Sequence, residues 1–301
     1  MADPNDDKGY VDLLLSGIRR IKEFEPQLGK GRSVSLDEFS EIYGDDPLYH
    51  WVGFDSPMMY AAHRTAGAMT SMYRNLGSGC ENLFKQVLRD QLGLTEDDIK
   101  WTYVATSEEV GSFAGQESPL IDYSNVTDVA GAAEDLESPE PSKAKSRSKS
   151  NTLDGRIDVS AITVPERVEV VKSWLEELRK GQGVVWDPLG AVFEVRQGYK
   201  SMDSKRQAAD IANASQALQR QRMPVLVVMS KQIDDVLVRR YRASGWGLLK
   251  GDNEIDDPLL STFAFFEQIL GYDLVSFFER NHETMRAEVE AVLRTILGAA
   301  K

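Results

Sequence analysis

The stretch 191-AVFEVRQGYKSMDSKRQAADIANAS-215 begins with strand character and ends with helix character. Six charged side chains stand where one gives way to the other: Glu194, Arg196, Lys200, Asp203, Lys205 and Arg206. Read as a strand over 191–199, it carries Phe193 and Val195 on one face and Glu194 and Arg196 on the other. A central strand in an α/β sheet should be apolar on both faces. Charges there are costly unless they are paired, bind a metal or line a cleft. The helix that follows opens with Ser204 and, three residues on, Gln207, the pattern of a capping box. Lys205 and Arg206 in its first turn oppose the helix dipole, at about 0.3–1 kcal/mol each. A helix N-terminus with bases beside it is a phosphate site instead.

Apolar spacing outward from this junction predicts a helix over 10–29 and a short capped helix over 35–43. Two further helices are expected at 57–73 and about 80–93, with Gly77 and Gly79 as the break between them. Strands are expected at 100–106, after the Asp154–Gly155 turn, at 191–199, in "PVLVVMS" and in "WGLLKG". Helices are expected between the later strands, including one from Pro165 to Gly181. Residues 107–152 are rich in Ser, Pro, Lys and Glu, acidic first and then basic, a composition that packs no core. The tail from about 258 is helical and rich in Phe. Its Phe positions read as core, and as a possible source of a dimer interface.

The pattern is mixed α/β, with a central sheet flanked by helices, a helical N-terminal region and a helical C-terminal tail. The expected division is 1–76 helical, 77–255 as the α/β core with an insertion at about 115–152, and 256–301 as tail. One cysteine, Cys80, leaves no intramolecular disulfide, and three scattered histidines offer no zinc spacing. The acidic, amphipathic start is not a signal peptide, and the apolar runs are too short to span a bilayer, so no membrane and a cytoplasmic location are expected. "GSGCEN" lacks the Gly-Lys-Ser/Thr ending of a nucleotide-binding loop. Net charge is −13, which weighs against nucleic acid as a partner, although the segment from Glu194 to Arg206 is locally basic.

Two strand acids, Asp158 in "DGRIDV" and Glu194, would supply oxygen ligands to Mg²⁺. Such an ion activates water and stabilises charge building on a phosphodiester. Asp154 reads as the turn residue of "LDG".

The order of helix, strand with Asp, strand with "Glu194-Val195-Arg196", helix and strand resembles the PD-(D/E)XK nuclease superfamily, the restriction-endonuclease-like fold. The resemblance covers roughly residues 78–251 and rests on a short motif. It implies Asp158 and Glu194 as metal ligands, with Glu81 as the helix acid. Arg196 stands where the family has Lys. Arg keeps its proton at neutral pH, so Arg196 is electrostatic only, or Lys200 or Lys205 takes the lysine's part. Lys200, Ser204, Lys205 and Arg206 are the expected DNA-backbone contacts. The function implied is a Mg²⁺-dependent endonuclease of restriction or defence type acting on double-stranded DNA, as a homodimer. The alternative is a nuclease-like binding or interaction module that no longer cuts.

Overall fold

A computed structural model describes residues 4–28, 32–103, 151–198 and 204–298. Two compact units are present, one of Met1–Trp101 with Leu153–Lys301 and one of Thr102–Thr152. Residues 104–150 lie outside the described residues, and most of the expected insertion with them. What is described of the second unit belongs to two short paired strands, β3 (Trp101–Tyr103) and β4 (Asn151–Leu153).

The main sheet has four strands in the order β5 (Gly155–Asp158), β6 (Gly190–Arg196), β7 (Arg222–Val228) and β8 (Gly247–Leu249). β5 runs antiparallel to β6, while β6, β7 and β8 are parallel. The mixed α/β expectation therefore holds. The strand expected over 191–199 ends at Arg196, and Tyr199 and Lys200 lie outside the described residues.

The faces of the sheet separate by strict alternation. Ala191, Phe193, Val195, Met223, Val225 and Val227 enter the larger apolar core. Val192, Leu226, Val228 and Leu248 join a smaller one. The smaller core is closed by Ala214 and Ala217 of α7 (Ser204–Gln219) and by Leu237 and Tyr241 of α8 (Asp235–Ala243). Glu194 and Arg196 continue the series begun by Val192, so their charges point to the α7 and α8 side.

The larger core draws on α1 (Pro4–Arg19), α4 (Pro57–Leu92), α6 (Pro165–Gly181), the turn Phe265–Leu270 and α10 (Leu274–Gly298). Between these run short elements: β1 (Gln27–Leu28), β2 (Arg32–Ser33), α2 (Leu36–Gly44), α3 (Pro47–Trp51), α5 (Glu96–Ile99) and α9 (Thr262–Ala264). The expected boundaries of α6 are met at both ends. α2 carries its capping box, with Glu38 N–H donating to Ser35 Oγ and Ser35 N–H to the Glu38 carboxylate. The helix expected over 10–29 instead runs from Pro4 to Arg19, followed by a tighter turn at Arg20–Glu23.

The expected break at Gly77 and Gly79 is corrected: α4 is one helix of 36 residues. Ser56 caps it, Pro57 starts it and Gly93, at φ 66°, ends it in the left-handed conformation. Ala68, Met72, Cys80, Leu83, Phe84, Val87, Leu88 and Leu92 form one continuous buried stripe. Gly79 permits contact rather than ending the helix. A Cβ there would come within 2.2 Å of the Leu14 carbonyl oxygen of α1. The expectation that the Phe positions of the tail are core holds for Phe265, Phe266 and Phe277, which are fully buried. Among the described residues no helix is long and apolar enough to cross a membrane.

Candidate active site

The acids and bases converge at the carboxyl end of β6, where open α/β sheets place their ligand crevices. The register decides which aspartate takes part. Asp158 of β5 lies opposite Gly190, and Gly155 lies opposite Phe193. Asp158 is therefore four residues along the strand from Glu194, roughly 13 Å at the usual rise. It makes a two-pronged ion pair with Arg222, Oδ1 to Nε at 2.7 Å and Oδ2 to Nη2 at 2.9 Å, with Arg156 Nε 3.5 Å away. The expected partnership of Asp158 with Glu194 is thus corrected: Asp158 belongs to an ion-paired network at the opposite end of the sheet. A cavity of about 570 Å³ borders Asp158 and Arg222 there, but the carboxylate is already held by a guanidinium.

The acid beside Glu194 is Asp154. Its N–H donates to the Phe193 carbonyl at 2.8 Å, and its Oδ2 accepts the Val195 N–H at 2.8 Å. Next to it, Gly155 passes under α4, where a Cβ would sit 3.0 Å from the Phe84 ring. Glycine thus lets α4 lie against β5, and α4 brings two charged groups one turn apart, Glu81 and Lys85. Both act electrostatically on Asp154 and its neighbours.

Glu194 is 7% exposed. Arg196 pairs with its carboxylate and reaches across to Asp210 of α7, Nη2 to Oδ1 at 3.3 Å. Asp210, also buried, accepts a hydrogen bond from the Tyr241 hydroxyl of α8. Among the described residues, four carboxylates thus share a largely dry site with two bases near them, Arg196 and Lys85. The electrostatic consequence is uniform. Burial, reinforced by Asp154, pushes Glu194 up to about 8. Burial also raises Asp154 and Asp210, and burial with the Asp154 charge raises Glu81. The site favours protons because burial disfavours the charged form of each carboxylate, with neighbouring acids adding to it.

These raised acids are the test of whether Mg²⁺ fits. Mg²⁺ binds through one or two carboxylates and keeps several waters. Asp154, just before β5, and Glu194 of β6 are two neighbouring oxygen donors, and a divalent charge would favour their ionised forms. The donor set suits the ion. Among the described residues no group of three or more His, Cys, Asp or Glu side chains is disposed to hold a metal ion, so the two carboxylates would rely on water for the remaining ligands.

Of the expected site residues, the fold brings together Glu194, Arg196 and Glu81 and separates Asp158 from them. Lys200 lies outside the described residues, as do the side chains of Ser204, Lys205 and Arg206, whose backbone opens α7. Asp154, Asp210, Lys85 and Tyr241 were missed by the sequence reading. Asp210 had a signal: with Ala214 and Ala217 it falls at helical spacing on the buried stripe of α7. The thiol of Cys80, beside Glu81 in sequence, is buried and pushed up to about 12, so it is an inert packing group. Comparison with protein-family models, curated proteins and solved structures finds no match to this chain.

Proposed function

We propose that this chain is a Mg²⁺-dependent nuclease of the restriction-endonuclease-like kind, hydrolysing phosphodiester bonds in DNA, with Asp154 and Glu194 as its metal-binding pair. The observation that carries this reading is the placement of Asp154, just before β5, beside Glu194 of β6, itself two residues before Arg196, in a site whose described acids are buried. The order of α4 with Glu81, β5 preceded by Asp154, β6 with Glu-x-Arg, then α7 and β7 supports it.

When bound, Mg²⁺ would supply a water of lowered pKa and charge compensation at the scissile phosphate. Asp154 and Glu194 would hold it. The Val195 N–H occupies one Asp154 oxygen and fixes how that carboxylate is presented. Arg196 aligns Glu194 and Asp210, and Tyr241 holds Asp210 from behind. Arg196 does not give up its proton at neutral pH. The place of the family's lysine beside the acids is therefore taken by Lys85, half-buried on α4 and interacting with both Asp154 and Glu81. The basic opening of α7, with Lys205 and Arg206, is the proposed backbone clamp.

The test is incubation with mixed-sequence DNA in Mg²⁺ and in EDTA. Cleavage should require Mg²⁺, should be lost in Asp154→Ala and Glu194→Ala, and should survive in Asp158→Ala. Loss of cleavage in Asp158→Ala with retention in Asp154→Ala would overturn the assignment. One observation favours a second reading, a nuclease-like module that binds without cutting: the base at the motif is an arginine committed to two carboxylates. DNA binding without cleavage under every metal condition would select it.

A further inference from the structure

Large apolar side chains are not spread evenly over the exterior. Among the described residues, eight of fourteen exposed large hydrophobics fall between Leu36 and Met58, so this short segment concentrates apolar surface as partner-binding regions do. Trp51 is 80% exposed, Met58 81% and Leu48 62%. The same 23 residues contain six acids, Asp37, Glu38, Glu41, Asp45, Asp46 and Asp55, and neither Lys nor Arg.

The surface is braced from beneath. Asp46 caps α3 by accepting the Leu48 and Tyr49 N–H groups, and Pro47 opens the helix. His50 Nδ1 lies 2.7 Å from Asp55 Oδ2, tying the helix to the turn after it. A file of rings connects the patch to the interior. Buried Phe39 stacks on Tyr43 at 4.4 Å between centroids, Tyr43 meets Tyr49 at 5.1 Å, and Tyr49 stacks on Phe54 at 5.8 Å with the planes 4° apart. A five-residue helix capped and anchored in this way holds Trp51 outward in a fixed frame. Aromatic anchors held in advance of binding are the common core of protein interfaces.

The charge selects the occupant. Nucleic acid and anionic lipid are repelled by six carboxylates without a Lys or Arg among them. We propose that α2, α3 and the start of α4 form a docking surface for a basic amphipathic helix of another protein, whose apolar face covers Trp51 and Leu48 while its Lys and Arg side chains meet the flanking acids. This inference is independent of the nuclease reading.

The test titrates the full chain with a synthetic amphipathic helix of Leu and Lys, and with the same peptide carrying Glu for every Lys, by calorimetry. The Leu/Lys peptide should bind, weaken as salt rises, and lose at least about tenfold in affinity in Trp51→Ser with Leu48→Ser. A comparable loss should follow in Asp37→Asn with Glu41→Gln and Asp45→Asn, whose side chains are not the ones that cap α2 and α3. Melting temperatures of these surface variants should match the parent and so separate lost docking from lost folding. Absence of binding, equal binding of the Leu/Glu peptide, or affinity unchanged by the substitutions would overturn the proposal. So would a Trp51-dependent dimer in sedimentation equilibrium, which would assign the patch to a second copy.

Discussion

A buried acid whose pKa is raised stores a pH dependence whose sign is fixed. Glu194 moves from its ordinary 4.5 to about 8, mainly through burial. Between those values the native state holds a proton that the unfolded chain has released. The stabilising contribution is therefore complete below about pH 4.5 and is lost as pH rises through 8. At about 1.4 kcal/mol per unit, the penalty at alkaline pH amounts to a few kcal/mol. Glu194→Gln should raise the melting temperature at pH 9 relative to the parent and gain less at pH 5; equal gains at both would remove the charge argument. If the site takes Mg²⁺, the ion should raise the parent's melting temperature at pH 8–9 by linkage, and Glu194→Gln should abolish that response. Asp158→Ala should act differently, destabilising by about 1–3 kcal/mol through the guanidinium it strands, with the Mg²⁺ response intact.

At the scale of one element, α4 distinguishes two glycines that look alike in sequence. Gly77 has open space where a Cβ would go, whereas Gly79 faces the α1 backbone at 2.2 Å. Gly77→Ala should stabilise by up to about 1 kcal/mol through helix propensity. Gly79→Ala should destabilise by about 1–3 kcal/mol, because α1 must shift. Thermal denaturation of the two variants reads both signs. If Gly79→Ala also stabilised, the close packing of α1 on α4 would be wrong. The two glycines resembled a helix break because sequence reports the flexibility of Gly but not what lies against it. α6 was legible at both ends, since Pro165 and Gly181 act on the chain next to them. β6 was legible in its alternation and not in its length, because a strand ends where its neighbours stop pairing.

Across the whole main unit, one apolar core joins the N-terminal helices, the sheet and the Phe-rich tail. Ile18 of α1, Phe84 of α4, Phe193 of β6, and Phe266 and Phe277 near the C-terminus all belong to it. Phe84 meets Phe193 at 5.1 Å and Phe266 at 5.8 Å between ring centroids. Phe277→Ala should cost about 3–5 kcal/mol and lower a single cooperative transition. Loss of the tail helix alone, with the sheet still melting at the parent temperature, would show that the tail is a separate folding unit.

By itself the sequence determined the mixed α/β class, the alternation that sends Phe193 inward and Glu194 to the other face, and the concentration of charge at the end of β6. These follow from local periodicity and from the cost of burying charge, both readable along a single chain. It did not determine which aspartate stands beside Glu194. Asp154 and Asp158 are an even number of residues apart and so share a face, and "LDG" has every mark of a turn. Antiparallel pairing of Gly155 with Phe193 brought Asp154 to the site and sent Asp158 to Arg222. Asp210, Lys85 and Tyr241 likewise became neighbours of the motif only when helices far apart in sequence were packed around one strand. Register and packing are relations between segments, set by their combined burial, and only the tertiary structure decides them.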